Sequence, residues 1–447
     1  MENTKQKEEK IALELRLEYS LTDSANKEEK GEALAQIGEE NLYLRPELGE
    51  PVQLSYREIT QLSEADYRIS LELISEEKLV LFDLGYQYED FLSALSKFRN
   101  EMLLKDMLMK EGVKKSGVEA EFSYFDKSGK ELRKGKAEPR LYETALVIIP
   151  TKGDFIRIPY SGFSEIKAED YQVEILLESG EKIIVSQMGG QFDSFVKIIS
   201  ERISELSLES QEFFKEILPT ADTLLIRKAS RLMQEGEAVN IKDIEALSPE
   251  LRSALEKKME KLEMKEEYDY LNSIADQEKI SLGFKKGLMG ELSGDYLWFL
   301  IPIYSTETNK PGNAIAMEAT AEKGGGKSTY FFRILPRKEY KSAKNIEALR
   351  QKTDNLVETI NKAMIEINFR REPVYLTEEK LNESEYLKYK FAIEKLPALK
   401  TLRSLFIGRV NHTSPEQWQK DVNDLLEFNV SEIDDNKKWE KAEKEEK

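Results

Sequence analysis

A shift of 104 residues lays Val52–Phe91 on Ile156–Phe195 without a gap. Ten of these forty positions are identical, among them Tyr56/Tyr160, Asp66/Asp170, Tyr67/Tyr171, Leu73/Leu177, Gly85/Gly189 and Phe91/Phe195. Chance at average residue usage would give about two or three. Apolar character also matches at Val52/Ile156, Leu54/Ile158, Ile69/Val173, Leu71/Ile175, Leu79/Ile183 and Leu81/Val185. The offset exceeds the roughly 20–50 residues of a solenoid repeat and is the size of a small domain. The first half of the 447-residue chain is therefore a duplicated domain. Both copies must share one fold, because a one-residue slip in a strand would turn its apolar face to water.

Each copy carries the same succession of patterns. Apolar residues alternate in Ile11–Tyr19 and in Val118–Phe125, as half-buried strands require. Further short strands are expected at Leu42–Arg45, Val52–Tyr56, Tyr67–Leu73 and Lys78–Leu84, with counterparts at Ala145–Ile149, Phe155–Tyr160, Tyr171–Leu177 and Lys182–Ser186. Glu178-Ser179-Gly180-Glu181 supplies hairpin turn chemistry between the last two. The period then changes from 2 to 3.6. Tyr88, Phe91, Leu92, Leu95 and Met102 share one helical face, as do Phe192, Phe195, Val196, Ile199, Ile203 and Leu206. Helices are predicted over Gln87–Met109 and Gln191–Leu206.

A meander of short antiparallel strands closed by one amphipathic helix resembles the pleckstrin-homology-like (PH-like) fold. Phe155–Tyr160 and Leu177–Ile183, followed by Phe192–Leu206, resemble the second half of bacterial PH-like and lipid-sensor-like domains. The resemblance covers residues 10–210 as two copies and implies a tandem PH-like protein of bacterial or archaeal type. Its fold class is α+β: bent sheets or barrels of short strands, each capped by a C-terminal helix.

In the second half, residues 218–275 read as helical. Ser248-Pro249 fits an N-cap followed by Pro at the first helical position. Leu251, Leu255, Met259 and Leu262 then form a stripe suited to packing on neighbouring helices, and too short for a coiled coil. Strands are expected at Ile280–Phe284, Tyr296–Tyr304, Ala314–Thr320 and Ser328–Leu335, and a helix over Asn345–Ile367. That order matches a divergent third PH-like copy. The expected organisation is module 1 over 10–112, module 2 over 116–216, a helical linker over 218–275, a third module over 277–370, a helical C-terminal region over 374–430, and a disordered charged tail over 431–447.

Composition narrows the chemistry. Cys is absent and His occurs once, which excludes a cysteine nucleophile, disulfides, and zinc or iron–sulfur sites needing several such ligands. Lys and Arg total 67 against 85 Asp and Glu, a net charge of −18. That balance disfavours broad adhesion to nucleic acid or anionic lipid and permits a basic protein partner, with solubility alone as the simplest explanation. No apolar run is long enough to span a membrane, and Met1–Lys10 has no secretory apolar region behind it, so the expected location is the cytoplasm.

Gly324-Gly325-Gly326-Lys327-Ser328-Thr329 only partly matches a phosphate loop: Ala321 stands where its first Gly belongs, and Tyr330–Leu335 reads as a strand where a helix is needed. His412 reads as a surface or capping residue ahead of a helix. The loop Asp126–Lys136 holds five bases, Lys127, Lys130, Arg133, Lys134 and Lys136, where phosphoinositide-binding PH domains carry theirs. The resemblance makes these five an anion-binding candidate. No ordered nucleophile, base and stabiliser occurs, so the sequence predicts no enzyme, no cofactor and no metal. It predicts a binding or scaffold protein recognising a protein or peptide, with peripheral binding of anionic lipid or phosphate as the alternative.

Overall fold

The computed structural model describes residues 10–47, 49–107, 111–286, 295–305, 311–321, 327–342, 345–431, 434 and 437–439. Two compact units are present. The first comprises residues 1–204 with 382–395, the second residues 205–381 with 396–447.

In the first unit, strands β1 (Leu13–Thr22), β2 (Glu28–Ile37), β3 (Asn41–Pro46), β4 (Val52–Ser55), β5 (Ile59–Ala65), β6 (Arg68–Leu73) and β7 (Lys78–Phe82) form one curled antiparallel sheet, closed by helix α1 (Tyr88–Met107). Their order across the sheet is β4-β3-β2-β1-β7-β6-β5. After the short strand β8 (Val113–Lys115), β9 (Ala120–Phe125), β10 (Glu131–Tyr142), β11 (Ala145–Pro150), β12 (Ile156–Pro159), β13 (Phe163–Glu169), β14 (Gln172–Leu177) and β15 (Lys182–Ser186) repeat the arrangement, and α2 (Phe192–Ile217) follows. The order is again β12-β11-β10-β9-β15-β14-β13, with β8 added on β10. These are tandem PH-like modules in an α+β chain.

Alternation builds the two cores. Leu15, Leu17 and Tyr19 on β1, Ile69 and Leu71 on β6, and Leu79 and Leu81 on β7 point inward against Phe91, Leu92 and Leu95 of α1. Val173, Ile175, Ile183 and Val185 are likewise fully buried in module 2, as are Phe195 and Ile199 of α2. Burying each such side chain contributes about 1.5–3 kcal/mol.

Five strands of this unit lie outside the segments expected from the sequence: β2, β5, β8, β10 and β13. A bulge between Ile59 and Gln61 breaks the alternation of β5, and one between Phe163 and Glu165 breaks that of β13. The segment 126–136, expected as a loop, becomes strand from Glu131 because the β9–β10 hairpin extends past the core, where no apolar face is needed.

The second unit contains α3 (Thr223–Leu232), β16 (Val239–Asn240), α4 (Ile241–Leu247), α5 (Pro249–Lys261) and α6 (Lys265–Ile274), then β17 (Ser281–Lys286), β18 (Asp295–Ile303), β19 (Ala314–Ala321) and β20 (Ser328–Arg333). There follow α7 (Arg337–Ser342), α8 (Ile346–Glu366), α9 (Glu372–Tyr375) and α10 (Glu378–Leu381). Helix α11 (Leu387–Lys395) belongs to the first unit, and α12 (Pro397–Leu405), β21 (Phe406–Asn411) and α13 (Pro415–Ser431) return to the second.

The second unit's sheet runs β16-β17-β18-β19-β20-β21. Its outer strands, at 239–240 and 406–411, lie outside 277–370, so the third-module boundaries do not enclose it, and its order differs from that of the first two sheets. Ser248 Oγ accepts from Leu251 N at 3.2 Å as the N-cap of α5. Leu251, Leu255, Met259 and Leu262 pack into this unit's own core with Phe299, Phe331 and Trp418. The tail from 431 lies mostly outside the described residues, although Trp439 N donates to Ile407 O at 2.9 Å.

Candidate functional site

In module 1, the edge strand β5 and the closing helix α1 bound a groove, and α11 fills it, packing against α1, β5 and the 3-10 turn Tyr56–Glu58. Ile59, Leu92, Ser96 and Arg99 are all buried there. Arg99 is 1% exposed. Its guanidinium donates to Ile59 O at 3.1 Å, pairs with Asp154, and lies 6.0 Å from the centre of the Phe391 ring of α11.

Asp154 also accepts from Lys395 Nζ, at the end of α11, at 2.9 Å. Burial alone would raise the Asp154 carboxyl, but Arg99 and Lys395 hold it below its ordinary value. Burial, and then Arg99, lower the Lys395 ammonium. Beside this pair, Asn100 Nδ2 donates to Gly153 O at 2.9 Å, and Phe155 N donates to Asn100 Oδ1 at 3.2 Å. An open cleft of about 640 Å³ adjoins the network, lined by Thr60, Glu72, Leu92, Arg133, Lys152 and Lys395 among others.

The positions 104 residues later have a different environment. Phe163, Val196 and Ile203, which replace Ile59, Leu92 and Arg99, are only half-buried, and Ser200, which replaces Ser96, is exposed. At the equivalent positions module 2 thus carries an apolar residue where module 1 has Arg99, and its side chains are more accessible. Nearby, Lys167 pairs with Glu165 at 3.0 Å on β13 and Lys197 with Glu201 at 3.8 Å on α2. No sequence signal marked this groove, because β5 and β13 are the strands whose bulges hide them.

The five basic candidates separate in the structure. Asp126 Oδ1 accepts from Ser128 N at 2.8 Å, Ser128 Oγ at 2.6 Å and Lys130 N at 3.0 Å, fixing the hairpin tip. Lys127, Lys130, Lys134 and Lys136 are exposed, and Lys134 pairs with Glu131 at 2.9 Å. Arg133 alternates to the other face of β10 and enters the cleft near Gly153, where burial lowers its guanidinium against the pull of Asp154. A strand cannot aim adjacent residues at one ligand.

His412 is not a surface residue. Its side chain is 13% exposed, with Nδ1 3.2 Å from Glu267 Oε1 and Nε2 3.1 Å from Glu318 Oε2. Burial would lower this imidazole, but the two carboxylates push it up to about 9. Thr329 Oγ1 donates to Glu318 Oε2 at 2.8 Å and stands 3.3 Å from His412 Nε2. The set has the membership of a hydrolytic triad, yet Thr329 is fully buried and its proton is committed to Glu318. The cluster fastens α6, β19, β20 and the end of β21 together.

Gly324–Gly326 lie outside the described residues. Lys327 Nζ is held by Glu263 at 3.2 Å and Ser328 Oγ donates to Asn411 Oδ1 at 2.7 Å, both far from phosphate-loop roles. Among the described residues no group of three or more His, Asp or Glu could hold a metal, and no helix is long and apolar enough to cross a membrane.

No known family model matches the chain, and no curated protein matches it. Among solved structures, "Structure of the Spt16D Pob3N heterodimer" aligns at 15% identity over 38% of this chain and 85% of that chain, with a TM-score of 0.15. A superposition at that score carries no weight, and the fold assignment rests on strand order, register and the closing helices.

Proposed function

We propose that this is a non-enzymatic binding or scaffold protein whose module 2 recognises a protein partner by seating an amphipathic helix between β13 and α2. The observation that carries the reading is internal to the chain. Two copies of one groove exist, and the copy in module 1 is filled by a helix of the chain itself. Residues Leu387–Lys395 therefore serve as a template for the ligand: a short helix that buries Tyr389, Phe391, Ala392 and Ile393, with Lys388, Lys390 and Lys395 against a single Glu394. The chain's net charge of −18 suits such a basic helix. Helix-in-groove docking is a common mode of recognition, with affinity set by a few buried anchors.

A labelled peptide of residues 382–395 added to the full-length protein tests this. Saturable binding with a Kd on the order of 10–100 μM is expected, weakened at least about tenfold by Val196→Glu with Ile203→Glu. Absence of binding up to millimolar peptide, or binding indifferent to the double substitution, overturns the reading.

A further inference from the structure

The two-residue turns that join β5 to β6 and β13 to β14 are built from unexpected residues. Ala65 pairs with Arg68 and Glu169 with Gln172, so Asp66-Tyr67 and Asp170-Tyr171 are the turns. All four are left-handed, with φ of +49° and +58° in module 1 and +50° and +58° in module 2. Such turns favour Asn-Gly or Asp-Gly, and a bulky side chain at positive φ is strained. Yet both copies keep Asp-Tyr, although thirty of the forty compared positions differ.

Burial does not explain the retention. Tyr67 and Tyr171 are each 77% exposed. Each ring touches the first residue of its closing helix along one side: Tyr67 and Tyr88 have centroids 5.5 Å apart, Tyr171 and Phe192 5.6 Å. The remaining surface of each ring faces solvent. Strain held at an aromatic whose only ring contact among the described residues is with its own helix, and whose surface is mostly open, points to recognition.

The neighbours define the ligand. Asp66 and Asp170 belong to the turns, and among the described residues neither forms an ion pair; Glu169, beside the second, attracts Lys167. Arg68, the residue after Tyr67, is turned over the Phe82 ring at 5.5 Å. An exposed aromatic face bordered by unpaired carboxylates suits a Lys or Arg side chain, which can lie on the ring while its charge meets the acid.

We infer that Tyr67 and Tyr171 are paired contacts for the cationic side chains of a basic polypeptide, one on each module. This is separate from the groove, because the turn in module 1 is equally exposed although its groove is filled.

The test uses the full-length protein and a labelled decapeptide of alternating Lys and Arg, followed by fluorescence anisotropy at about 0.15 M salt, where diffuse attraction is screened. Tyr67→Gly with Tyr171→Gly relieves the turn strain, so the variant should unfold at the same or a higher temperature while its affinity falls about fivefold to tenfold. Tyr67→Phe with Tyr171→Phe should bind as the parent does. Tyr67→Gly with Tyr171→Gly should leave binding of the residue 382–395 peptide unchanged, which separates this inference from the groove reading. Equal affinity of the Gly variant and the parent overturns it, as does failure of the parent to bind at about 0.1 mM protein.

Discussion

Tyr56 and Tyr160, 104 residues apart, each donate a phenolic hydrogen bond to the carbonyl of the residue eighteen positions earlier: Gly38 at 2.8 Å and Tyr142 at 3.2 Å. Gly38 and Tyr142 are themselves 104 residues apart, so the duplication extends to a buried polar contact outside the aligned segment. The agreement continues at Ser75–Glu77 and Ser179–Glu181, whose side chains bond at 2.7 and 2.8 Å. Replacing either Tyr by Phe removes one buried hydrogen bond and strands a carbonyl. Each change should cost about 1 kcal/mol by urea unfolding, and the two costs should agree within about 0.5 kcal/mol.

Phe91 and Phe195 are both fully buried beneath their own sheets. Phe91→Ala and Phe195→Ala should each cost about 3–5 kcal/mol. Hydrogen exchange should localise the loosening to the module carrying the substitution.

Asp154 is shared by Arg99 and Lys395. Asp154→Ala leaves Arg99, which is 1% exposed, without its carboxylate. A loss of about 3–5 kcal/mol is expected, because an unpaired buried charge is costly. Hydrogen exchange in α11 should rise before that in β1 or β6. Adding Arg99→Met should recover part of the stability, which a merely steric effect of the Ala would not allow.

The single imidazole permits a direct reading of pKa by proton NMR, with one resonance pair to follow. His412 should titrate at about 9 in the folded protein, against an ordinary value of 6.5. The folded value lies above the unfolded one, so the stabilisation is complete below about pH 6.5 and is lost as pH rises through 9. The gap corresponds to about 3 kcal/mol, visible as a falling melting temperature between about pH 7 and 10. His412→Gln should flatten that fall. Acid works on the other partner: Glu267 is held below its ordinary value, mainly by His412 once the opposing effect of burial is overcome, so its contribution disappears as pH drops through that lowered value.

What could be read from the chain was whatever repeated or alternated. The duplication, the inward residues of β6 and β7, and the stripes of α1 and α2 all follow from periods of 2 and 3.6. The strands that shape the grooves do not, since the bulges at Ile59/Gln61 and Phe163/Glu165 shift the phase midway. Long-range partners left no local trace either. Phe406–Asn411 sits between helices and becomes a strand only because β20 offers it an edge. His412 is buried by Glu267 and Glu318, which lie 145 and 94 residues before it. Arg133 reads as one of five loop bases until the alternation of β10 sends it into the cleft.

Helix α11 completes module 1 from far along the chain, with residues 108–386 in between. During synthesis at about 5–20 residues per second, that interval lasts roughly 15–55 s. Through this time a nascent module 1 displays Ile59, Leu92 and Arg99 uncovered, in the condition module 2 keeps permanently. Until α11 emerges, module 1 is as uncovered as module 2, although Arg99 already sets it apart. Termination before residue 382 would leave a polypeptide in which module 1 never receives its covering helix.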